Sequence, residues 1–367
     1  MEMLDYLKYV RRSLHKIPEL FHQEFLTQKF IVTELDKLKI KYKKIKTAVI
    51  AEIEGIDSKT LLAFRADMDA LPITEQNDTD YISEHIGKMH ACGHDGHMAV
   101  LLGVAKYFSE TKPSVNLRLI FQPAEECEGG AEMLIENGVL KGVNAIFGLH
   151  LSPEYPVGVI ATDAGAIFAG ACDFHIIFEG TSGHCADYQK HIDAIRAGNE
   201  FYNKIYKLYN EKYQAKSVFH IGKIAAGFAS NIVADKAQYD CTFRFFDEQI
   251  QEDFMMRLED VLIDVEKLTG ATHRLIVENY YPPLINQPHI IEMLKKKFDI
   301  TTAKSKYTAE DFAYYLKKTN GAFAWLGIAD KNHNAPLHNS CFDFDEKALL
   351  TGLNYYIKIA NNILIQE

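Results

Sequence analysis

The sequence predicts an α/β protein with a mainly parallel sheet covered by helices on both faces and a second α+β domain inserted into it. Segments with helical and strand-like spacing alternate over the first 170 residues, as is typical of parallel sheets with helical connections. Between residues 171 and 282 the order changes to β-α-β-β-α-β. That order is the ferredoxin-like pattern of a compact two-layer domain.

Size and composition are those of an ordinary globular protein. The chain has 367 residues, 47% hydrophobic and 25% charged, with a formal net charge of −10, and this length suits two domains. Because no long basic block accompanies the negative charge, we expect no nucleic-acid partner. No apolar run is long enough to span a membrane, and the N-terminus lacks the apolar core of a signal peptide. Six cysteines without a CxxC pair indicate free thiols and a cytoplasmic location.

Periodicity predicts the elements of the first domain in order. Helical spacing predicts helices at 4–14 and 27–38, and apolar runs predict strands at 48–53 and 60–64. The elements that follow are a helix at 98–107, a strand at 117–121, a helix at 130–137, and strands at 143–147 and 157–162. We interpret the lysine-rich residues 41–44 as a solvated helix end or face.

The inserted domain is predicted in the same way. Its elements are strands at 173–178, 218–224, 237–245 and 274–279, with helices at 193–208 and 254–268. Residues 284–367 then return to helix–strand alternation. The sequence therefore predicts a discontinuous first domain, 1–170 with 283–367, and an inserted domain over 171–282.

The strongest chemical signal is the stretch from Met89 to His97, which holds one thiol, three imidazoles and one carboxylate in nine residues. Such side chains bind metal ions, and Cys92 and His94, two residues apart, can point to the same side. A helix follows this loop, so its dipole would favour a thiolate. Taken alone, the stretch leaves a second interpretation, incidental residues on a loop.

Other ligand-capable residues follow or approach the ends of predicted strands. Glu125 and Glu126 follow one strand, His150 follows another, and His338 lies near the C-terminus. In open α/β sheets, ligands bind at the carboxyl ends of the strands. We therefore expect these four residues to meet the metal-binding stretch.

Arg65, Asp67 and Asp69 come directly after the strand predicted at 60–64. Two carboxylates and an arginine beyond a buried strand are costly to desolvate unless they are paired. A structural ion pair and a layer of residues behind a metal site are both open interpretations at this point.

Together the motifs resemble the M20 metallopeptidases, in particular the amidohydrolase branch that contains auxin-conjugate and hippurate hydrolases. They occur in the family's order and cover nearly the whole chain. The matching segments are Arg11 to Leu20, Arg65 to Ile73, Met89 to His97, Phe121 to Glu126, Gly148 to His150, Ala309 to Phe312, and Leu337-His338. The resemblance implies a zinc-peptidase-like catalytic domain carrying a dimerisation or lid domain.

The resemblance also implies two divalent metal ions. Cys92 would bridge them as a thiolate, and His94, Glu126, His150 and His338 would complete the coordination shells. A mixed sulfur, nitrogen and oxygen set suits zinc or another borderline metal such as cobalt or nickel. Manganese is less comfortable with sulfur, but the ligand types do not exclude it.

The family's catalytic roles can be carried over to matching residues. Glu125 would be the general base that activates the attacking water and returns the proton to the departing amine. Asp67 would orient a ligand, while Arg65 stands where other branches have a metal-binding histidine. Neighbouring side chains of a strand point to opposite sides, so Glu125 and Glu126 must sit on a turn, which Pro123 favours.

In the inserted domain, His184 matches a family histidine that reaches the active site of the partner subunit and helps hold the oxyanion. Asn231 and Arg244 match substrate-carboxylate binders, and an arginine fork suits a carboxylate. The resemblance therefore implies a homodimer or a higher homo-oligomer. Tyr188 and Gln189 stand where the family has a proline and a histidine, which leaves the choice of substrate open.

The function predicted from the resemblance is a metal-dependent amidohydrolase acting on a small N-acyl amino acid. Hippurate, auxin conjugates and N-acetylcysteine are alternative substrates for the same mechanism. Two alternatives differ in class: a catalytically inactive relative, and an amidase that uses the Cys92 thiol as its nucleophile.

Overall fold

The computed structural model describes residues 2–127 and 129–362, apart from the side chain of Ser58. The chain divides into two compact units. The first comprises the residues up to Ile167, Ile285–Lys304 and the residues from Asp311 onward, and the second comprises Phe168–Leu284 and Ser305–Glu310. Each unit has a buried hydrophobic cluster of its own.

Helices and strands lie close to their predicted positions. The helices are α1 (Met3–His15), α2 (Phe25–Lys37), α3 (His94–Glu110), α4 (Gly130–Glu136), α5 (Ala194–Lys212), α6 (Glu248–Thr269), α7 (Pro288–Lys295), α8 (Ala313–Leu316) and α9 (Ala348–Asn362), with a 3₁₀ helix at Cys185–Lys190. The strands are β1 (Lys41–Ile45), β2 (Ala48–Ile53), β3 (Asp57–Asp67), β4 (Val115–Gln122), β5 (Ala145–Pro156), β6 (Ile160–Thr162), β7 (Gly165–Phe168), β8 (Gly170–Glu179), β9 (Gly183–His184), β10 (Ser217–Ala226), β11 (Ile232–Val233), β12 (Lys236–Phe245), β13 (Thr272–Tyr281), β14 (Leu284–Asn286), β15 (Thr301–Thr302) and β16 (Asn320–Ala329).

The first unit is built on a sheet with the strand order β1-β2-β4-β3-β5-β16-β6-β15. Its central pairs β4–β3, β3–β5 and β5–β16 are parallel. The pairs β1–β2, β2–β4 and β16–β6 are antiparallel, so the sheet is mixed around a parallel centre. The predicted α/β class with a mainly parallel sheet is confirmed, and two candidate ligands belong to its centre, Glu126 just after β4 and His150 within β5.

Three local predictions were wrong. Residues Lys41–Ile45 form the edge strand β1 and not a helix end; lysines on an edge strand discourage pairing with other chains. Strand β5 continues to Pro156, so His150 lies within a strand and not after one. Helix α3 begins at His94, so this histidine occupies its first turn and not the preceding loop.

The second unit contains the order β8-α5-β10-β12-α6-β13 expected from the sequence, in a sheet ordered β10-β12-β8-β13. Strand β12 alternates partly exposed and buried residues, and its buried Phe243 stacks on Phe254 of α6 with ring centroids 4.0 Å apart. Residues Ser305–Glu310 join this unit because the Ala169 N–H donates to the carbonyls of Lys306 and Thr308. The sequence predicts this segment as part of the first domain, because local spacing does not show which unit a loop packs against.

Two expectations about the whole chain can be compared with the structure. Among the helices of the described residues, none has the length and apolar character that crossing a bilayer requires. No disulfide joins the cysteines of the described residues, and three of these cysteines are buried.

Candidate metal centre

Cys92 and His94 are placed by a tight turn before α3. Gly93 between them has φ +84°, a conformation that favours glycine, and a Cβ at this position would also require the Leu151 side chain, 2.6 Å away at Cδ1, to move. Upstream, Met89 forms an antiparallel bridge with Leu71. The Met89–Leu71 bridge therefore holds the start of this turn, and Gly93 sets its conformation just before α3.

His150 projects from β5 towards the Cys92 thiol. The Cys92 Sγ and His150 Nε2 atoms are 3.3 Å apart. The second ring nitrogen, Nδ1, lies 2.7 Å from the Leu151 carbonyl, so Nδ1 carries the proton and Nε2 keeps its lone pair. Burial and the neighbouring His97 hold the pKa of His150 well below its usual range. His150 is therefore neutral, as a metal ligand must be.

His94 is oriented in the same manner. Its Nδ1 lies 2.9 Å from the Asp69 carbonyl, which leaves Nε2 facing the carboxylates of Asp67, at 3.7 Å, and Glu126, at 3.9 Å. The His94 Nε2 and Glu126 Oε1 atoms are buried and make no hydrogen bond of good geometry, although His338 Nε2 lies 3.3 Å from Oε1. Buried polar atoms of a native protein normally have partners, so this facing pair fits a cation held between them.

Glu126 also meets His338. The His338 Nε2 atom is 3.3 Å from Glu126 Oε1, and the backbone N–H of His338, at φ 62°, donates to the Ala91 carbonyl at 2.8 Å. The His338 side chain is 53% exposed. The cluster is therefore open to solvent on this side.

The five predicted metal ligands converge. Their donor atoms form overlapping groups in which all atoms lie within 4.8 Å of one another. These groups are Cys92–His94–His150, Cys92–Glu126–His338 and His94–Glu125–Glu126. Thiolate, imidazole and carboxylate donors in this number fit divalent transition metals.

Negative charge accumulates in the cluster. Burial and the carboxylates of Glu126, Glu125 and Asp67 raise the pKa of the Cys92 thiol well above its usual value. Burial lowers the pKa of His94, but the carboxylates of Asp67 and Asp69 outweigh it and raise that pKa to about 10. A site that raises both values favours a bound cation, which would displace these protons.

Glu125 and Glu126 lie on a bend after β4, as their shared function requires. Ala124 just before them is in the left-handed region, at φ 56°. Their two backbone N–H groups donate to the Asp69 carboxylate at 3.1 and 3.0 Å. The bend turns both side chains towards His94, which a continuing strand could not do.

Behind the candidate ligands lies a buried network of charged side chains centred on Arg65. Its guanidinium contacts Asp67 at 2.6 Å, Asp311 at 2.7 Å and Gln122 at 2.9 Å. The second oxygen of Asp67 lies 2.5 Å from His97 Nδ1. The Arg65–Asp67 contact is therefore a buried ion pair, and the role of Asp67 in orienting a metal ligand stays a prediction.

The candidate substrate-binding residues lie in the second unit. His184 pairs with Ile232 in the short ribbon β9–β11. The backbone carbonyl of Asn231 accepts a hydrogen bond from the Cys185 N–H at 3.0 Å, so His184 and Asn231 are neighbours. Arg244 is on β12, where its Nη2 contacts Asp173 at 3.3 Å. The predicted carboxylate binder thus already has an acidic neighbour.

Several residues of this site have contacts that the sequence does not predict. Asp69, Gln122 and Asp311 stood in quoted motifs, and Glu24, whose carboxylate accepts the Ala124 N–H at 3.1 Å, stood in none. The only available signal was an acidic residue beside a ligand-rich strand end, as for Asp69. Most of the hydrogen bonds of these residues join positions far apart in the chain. Gln122 and Asp311, for example, are 189 positions apart.

An α/β sheet that gathers thiol, imidazole and carboxylate donors beside a second carboxylate defines the metallohydrolase class. A model of the peptidase family M20/M25/M40 matches residues 63–362. The chain belongs to this family and is a hydrolase that acts on an amide bond. The predicted resemblance is confirmed.

Relatives of known name extend the comparison. N-acetyldiaminopimelate deacetylase of Bacillus subtilis (strain 168) is 35% identical, over 96% of this chain and 96% of its own length. Thermostable carboxypeptidase 1 of Saccharolobus solfataricus is 36% identical, over 96% of this chain and 93% of its own. The crystal structure of the YXEP protein of Bacillus subtilis, described as a dinuclear metal binding peptidase, superposes with a TM-score of 0.86 at 33% identity, covering 98% of this chain and 97% of that one.

Proposed function

We propose that this protein is a dinuclear metal-dependent amidohydrolase that deacetylates N-acetyl-LL-2,6-diaminopimelate, giving LL-2,6-diaminopimelate and acetate in lysine biosynthesis. The observation that carries the metallohydrolase part is the convergence of five candidate ligands beside Glu125. The substrate part rests on relatives that carry the name N-acetyldiaminopimelate deacetylase.

Cys92, His94, Glu126, His150 and His338 would hold the two ions. Divalent ions bound there would supply Lewis acidity for the amide carbonyl and lower the pKa of a bound water. The chain's own contribution is to fix the tautomers. His94 and His150 each use Nδ1 on a backbone carbonyl and present Nε2 to the site.

Glu125 is the proposed general base. Its carboxylate lies within 4.8 Å of donor atoms of His94 and Glu126, so it can take a proton from water at the same place. The water oxygen forms a bond to the acetyl carbon, the amide C–N bond breaks, and the proton held by Glu125 passes to the departing nitrogen. Acetate and the free amine leave, and Glu125 is again ionised.

The alternative in which Cys92 is a nucleophile has less support. A nucleophilic cysteine needs a lowered pKa, whereas burial and three nearby carboxylates raise that of Cys92. Its His150 neighbour is already bonded through Nδ1 to a main-chain carbonyl and not to an orienting carboxylate. These features suit a metal-bound sulfur better than an attacking one.

We extend the proposal to His184, Asn231 and Arg244. His184 would stabilise the oxyanion in the active site of a partner subunit, and Asn231 and Arg244 would bind a substrate carboxylate. Arg244 already contacts Asp173, so a substrate carboxylate would share or replace that ion pair. On this view the active enzyme is a homodimer or a larger homo-oligomer.

A second substrate class has a specific observation in its favour. Thermostable carboxypeptidase 1 is as similar to this chain as the deacetylases are. A carboxypeptidase would also cleave an amide next to a free carboxylate, by the same chemistry. Peptides with a free C-terminus are therefore the alternative substrates.

Hydrolysis by the purified protein tests the proposal. The protein, reconstituted with zinc, cobalt, nickel or manganese in turn, is assayed against N-acetyl-diaminopimelate, N-acetylcysteine, hippurate and short peptides. We expect acetate release from N-acetyl-diaminopimelate to have the highest kcat/KM. Preference for a peptide would assign the carboxypeptidase activity, and no bound metal with no hydrolysis would favour an inactive relative.

A further inference from the structure

We propose that Asp69 is a positioning residue that sets both the general base and two of the metal ligands relative to each other. The proposal rests on the proposed function, because it assigns Asp69 a task within the same site. Asp69 lies two residues past the end of β3 and is 1% exposed. Asp69 positions these residues with two different groups, its side-chain carboxylate and its backbone carbonyl.

The carboxylate holds the bend that carries the two glutamates. Oδ1 accepts the Glu125 N–H at 3.1 Å, and Oδ2 accepts the Glu126 N–H at 3.0 Å. Ala124 before them has φ 56°, and successive N–H groups beside a left-handed residue form a concave anion site in the backbone. In this protein the anion in that concavity is an internal carboxylate.

The carbonyl of Asp69 orients the histidine ligand. It lies 2.9 Å from His94 Nδ1. A ring that donates from Nδ1 keeps the lone pair of Nε2 for a metal, and such supporting hydrogen bonds fix the tautomer and angle of a ligand. A single residue thus controls the direction of His94 and the direction of the Glu125-Glu126 bend.

Asp69 is itself held on both sides, so it can act as a reference point. Asp67, two residues before it, ends β3 and is fixed by the buried Arg65. Leu71, two residues after it, exchanges two backbone hydrogen bonds with Met89 at 3.0 Å each. A segment anchored at both ends transmits a fixed geometry to whatever it contacts.

Two other buried carboxylates have a different task. Glu24 accepts the Ala124 N–H at 3.1 Å and Asp311 accepts the Ala131 N–H at 3.0 Å, so they hold the two flanks of the same loop. Neither of those contacts involves the N–H groups of the two glutamates. Asp69 therefore acts at the catalytic residues, whereas the flanking carboxylates act on the loop as a whole.

Asp69→Asn provides the sharpest variant. The asparagine has nearly the same shape, but one oxygen becomes an NH₂ group that must face an N–H donor. One glutamate N–H then loses its acceptor, and the bend moves away from the Asp69 position. The backbone carbonyl that contacts His94 is unchanged, but the charge of the Asp69 carboxylate, 3.5 Å from His94 Nδ1, is lost. Amide exchange at Glu125 and Glu126 therefore reports the carboxylate's hold on the bend separately from any change at His94.

Hydrogen exchange on the metal-free protein gives a readout that is independent of catalysis. In the wild-type protein we expect the Glu125 and Glu126 amides to be protected although they lie outside helices and strands. In Asp69→Asn we expect exchange in a peptide that covers them to accelerate about tenfold or more. Unprotected amides in the wild type would overturn the proposal even if the variant does not fold.

Metal binding and kinetics complete the test. We expect Asp69→Asn to lower zinc affinity or kcat by about 10–100-fold, with a smaller change in KM. The matched control is Asp57→Asn at the opposite end of β3, where the carboxylate accepts the Lys59 N–H at 3.0 Å far from the bend. Unchanged exchange, zinc affinity and kcat in Asp69→Asn would refute the positioning role.

The proposed function can fail separately from this inference. If the wild-type protein binds zinc but hydrolyses none of the acyl substrates, the proposed function is wrong, while exchange and zinc affinity still decide the task of Asp69. If the wild type hydrolyses its substrate and Asp69→Asn does so equally well with equal exchange, the inference alone is wrong.

Discussion

We propose different tasks for the two adjacent glutamates of this site, whose side chains both reach His94 because the backbone bends between strand and helix. Glu126 Oε1 faces His94 and His338, whereas Glu125 lies near His94 but shares no ligand group with His338. A ligand must hold its position through turnover, and a base must give up its proton again. The difference can be measured one residue at a time.

Glu125→Gln is expected to lose hydrolysis and keep its metal. The amide cannot accept the proton of the attacking water, so kcat should fall by about 10²–10⁴-fold, while the five candidate ligands are unchanged. Steady-state kinetics and metal content per chain provide the measurement. Glu132→Gln, at an exposed position in the first turn of α4, is the control and should behave as wild type. Full turnover by Glu125→Gln would refute the base assignment.

Metal removal is the second residue-scale prediction. A chelator should abolish hydrolysis and lower the melting temperature, because His94 Nε2 and Glu126 Oε1 would lose their shared partner. Metal at 100 times its Kd stabilises the folded state by about 3 kcal/mol. Activity that survives chelation would instead favour the Cys92 nucleophile.

At the scale of elements, the loop between β4 and α4 determines where the two glutamates lie. Gly130 begins α4, and its N–H donates to the Ala124 carbonyl at 2.9 Å. A Cβ at Gly130 would lie 1.8 Å from the Pro123 carbonyl oxygen, whereas a Cβ at Gly129, which has φ +62°, would have nothing within 4 Å. The two neighbouring glycines are therefore required for different reasons.

We expect Gly130→Ala to damage the site and Gly129→Ala to be mild. The first must push backbone aside and move the bend, so zinc affinity and kcat should fall together. The second only strains a left-handed residue, at a cost of about 1–2 kcal/mol. Thermal unfolding and zinc titration compare the pair. Equal loss of zinc affinity in both variants would show that backbone conformation, and not the close contact, governs the loop.

At the scale of the whole catalytic unit, a buried ionic network joins the N-terminal helix to α3 and to the C-terminal segment. Arg11 is fully buried and contacts Asp95 at 3.0 Å and Asp343 at 2.6 Å. His15 contacts Asp95 at 2.8 Å and Glu75 at 3.1 Å. These ion pairs therefore join segments that lie more than 300 residues apart in the chain.

This network predicts a pH-dependent stability. Burial lowers the pKa of His15, but the Asp95 and Glu75 carboxylates outweigh it and raise the pKa to about 9. A raised pKa means that the folded state binds the proton more tightly. Its contribution is complete below about pH 6.5 and is lost as pH rises through 9, in total about 3 kcal/mol.

Denaturant unfolding of the metal-loaded protein between about pH 7 and pH 9.5 measures this loss. His15→Gln should be less stable at pH 7 and should show a smaller decline towards high pH. Parallel curves for the two proteins would contradict the assignment to His15.

The sequence predicted the elements well where local spacing decides the structure. Strand β2 was predicted at its observed bounds, and α1 and α4 within one or two residues, because periodicity and a terminating glycine or proline act locally. It failed for β1, since a lysine-rich edge strand has no apolar alternation. It also failed for the end of β5, because only the neighbouring β16 decides how far a strand continues.

By itself the sequence determined which side chains could bind a metal and the order in which they occur, because motif chemistry is carried by residue type and short spacing. Only the tertiary structure decided how they are held. The decisive contacts join residues distant in the chain. They are the ion pair of Arg65 with Asp311, the hydrogen bond of the His94 ring with the Asp69 carbonyl, and the hydrogen bond of the Asp69 carboxylate with the Glu125 N–H. Their geometry follows from sheet order and burial, which no local pattern encodes.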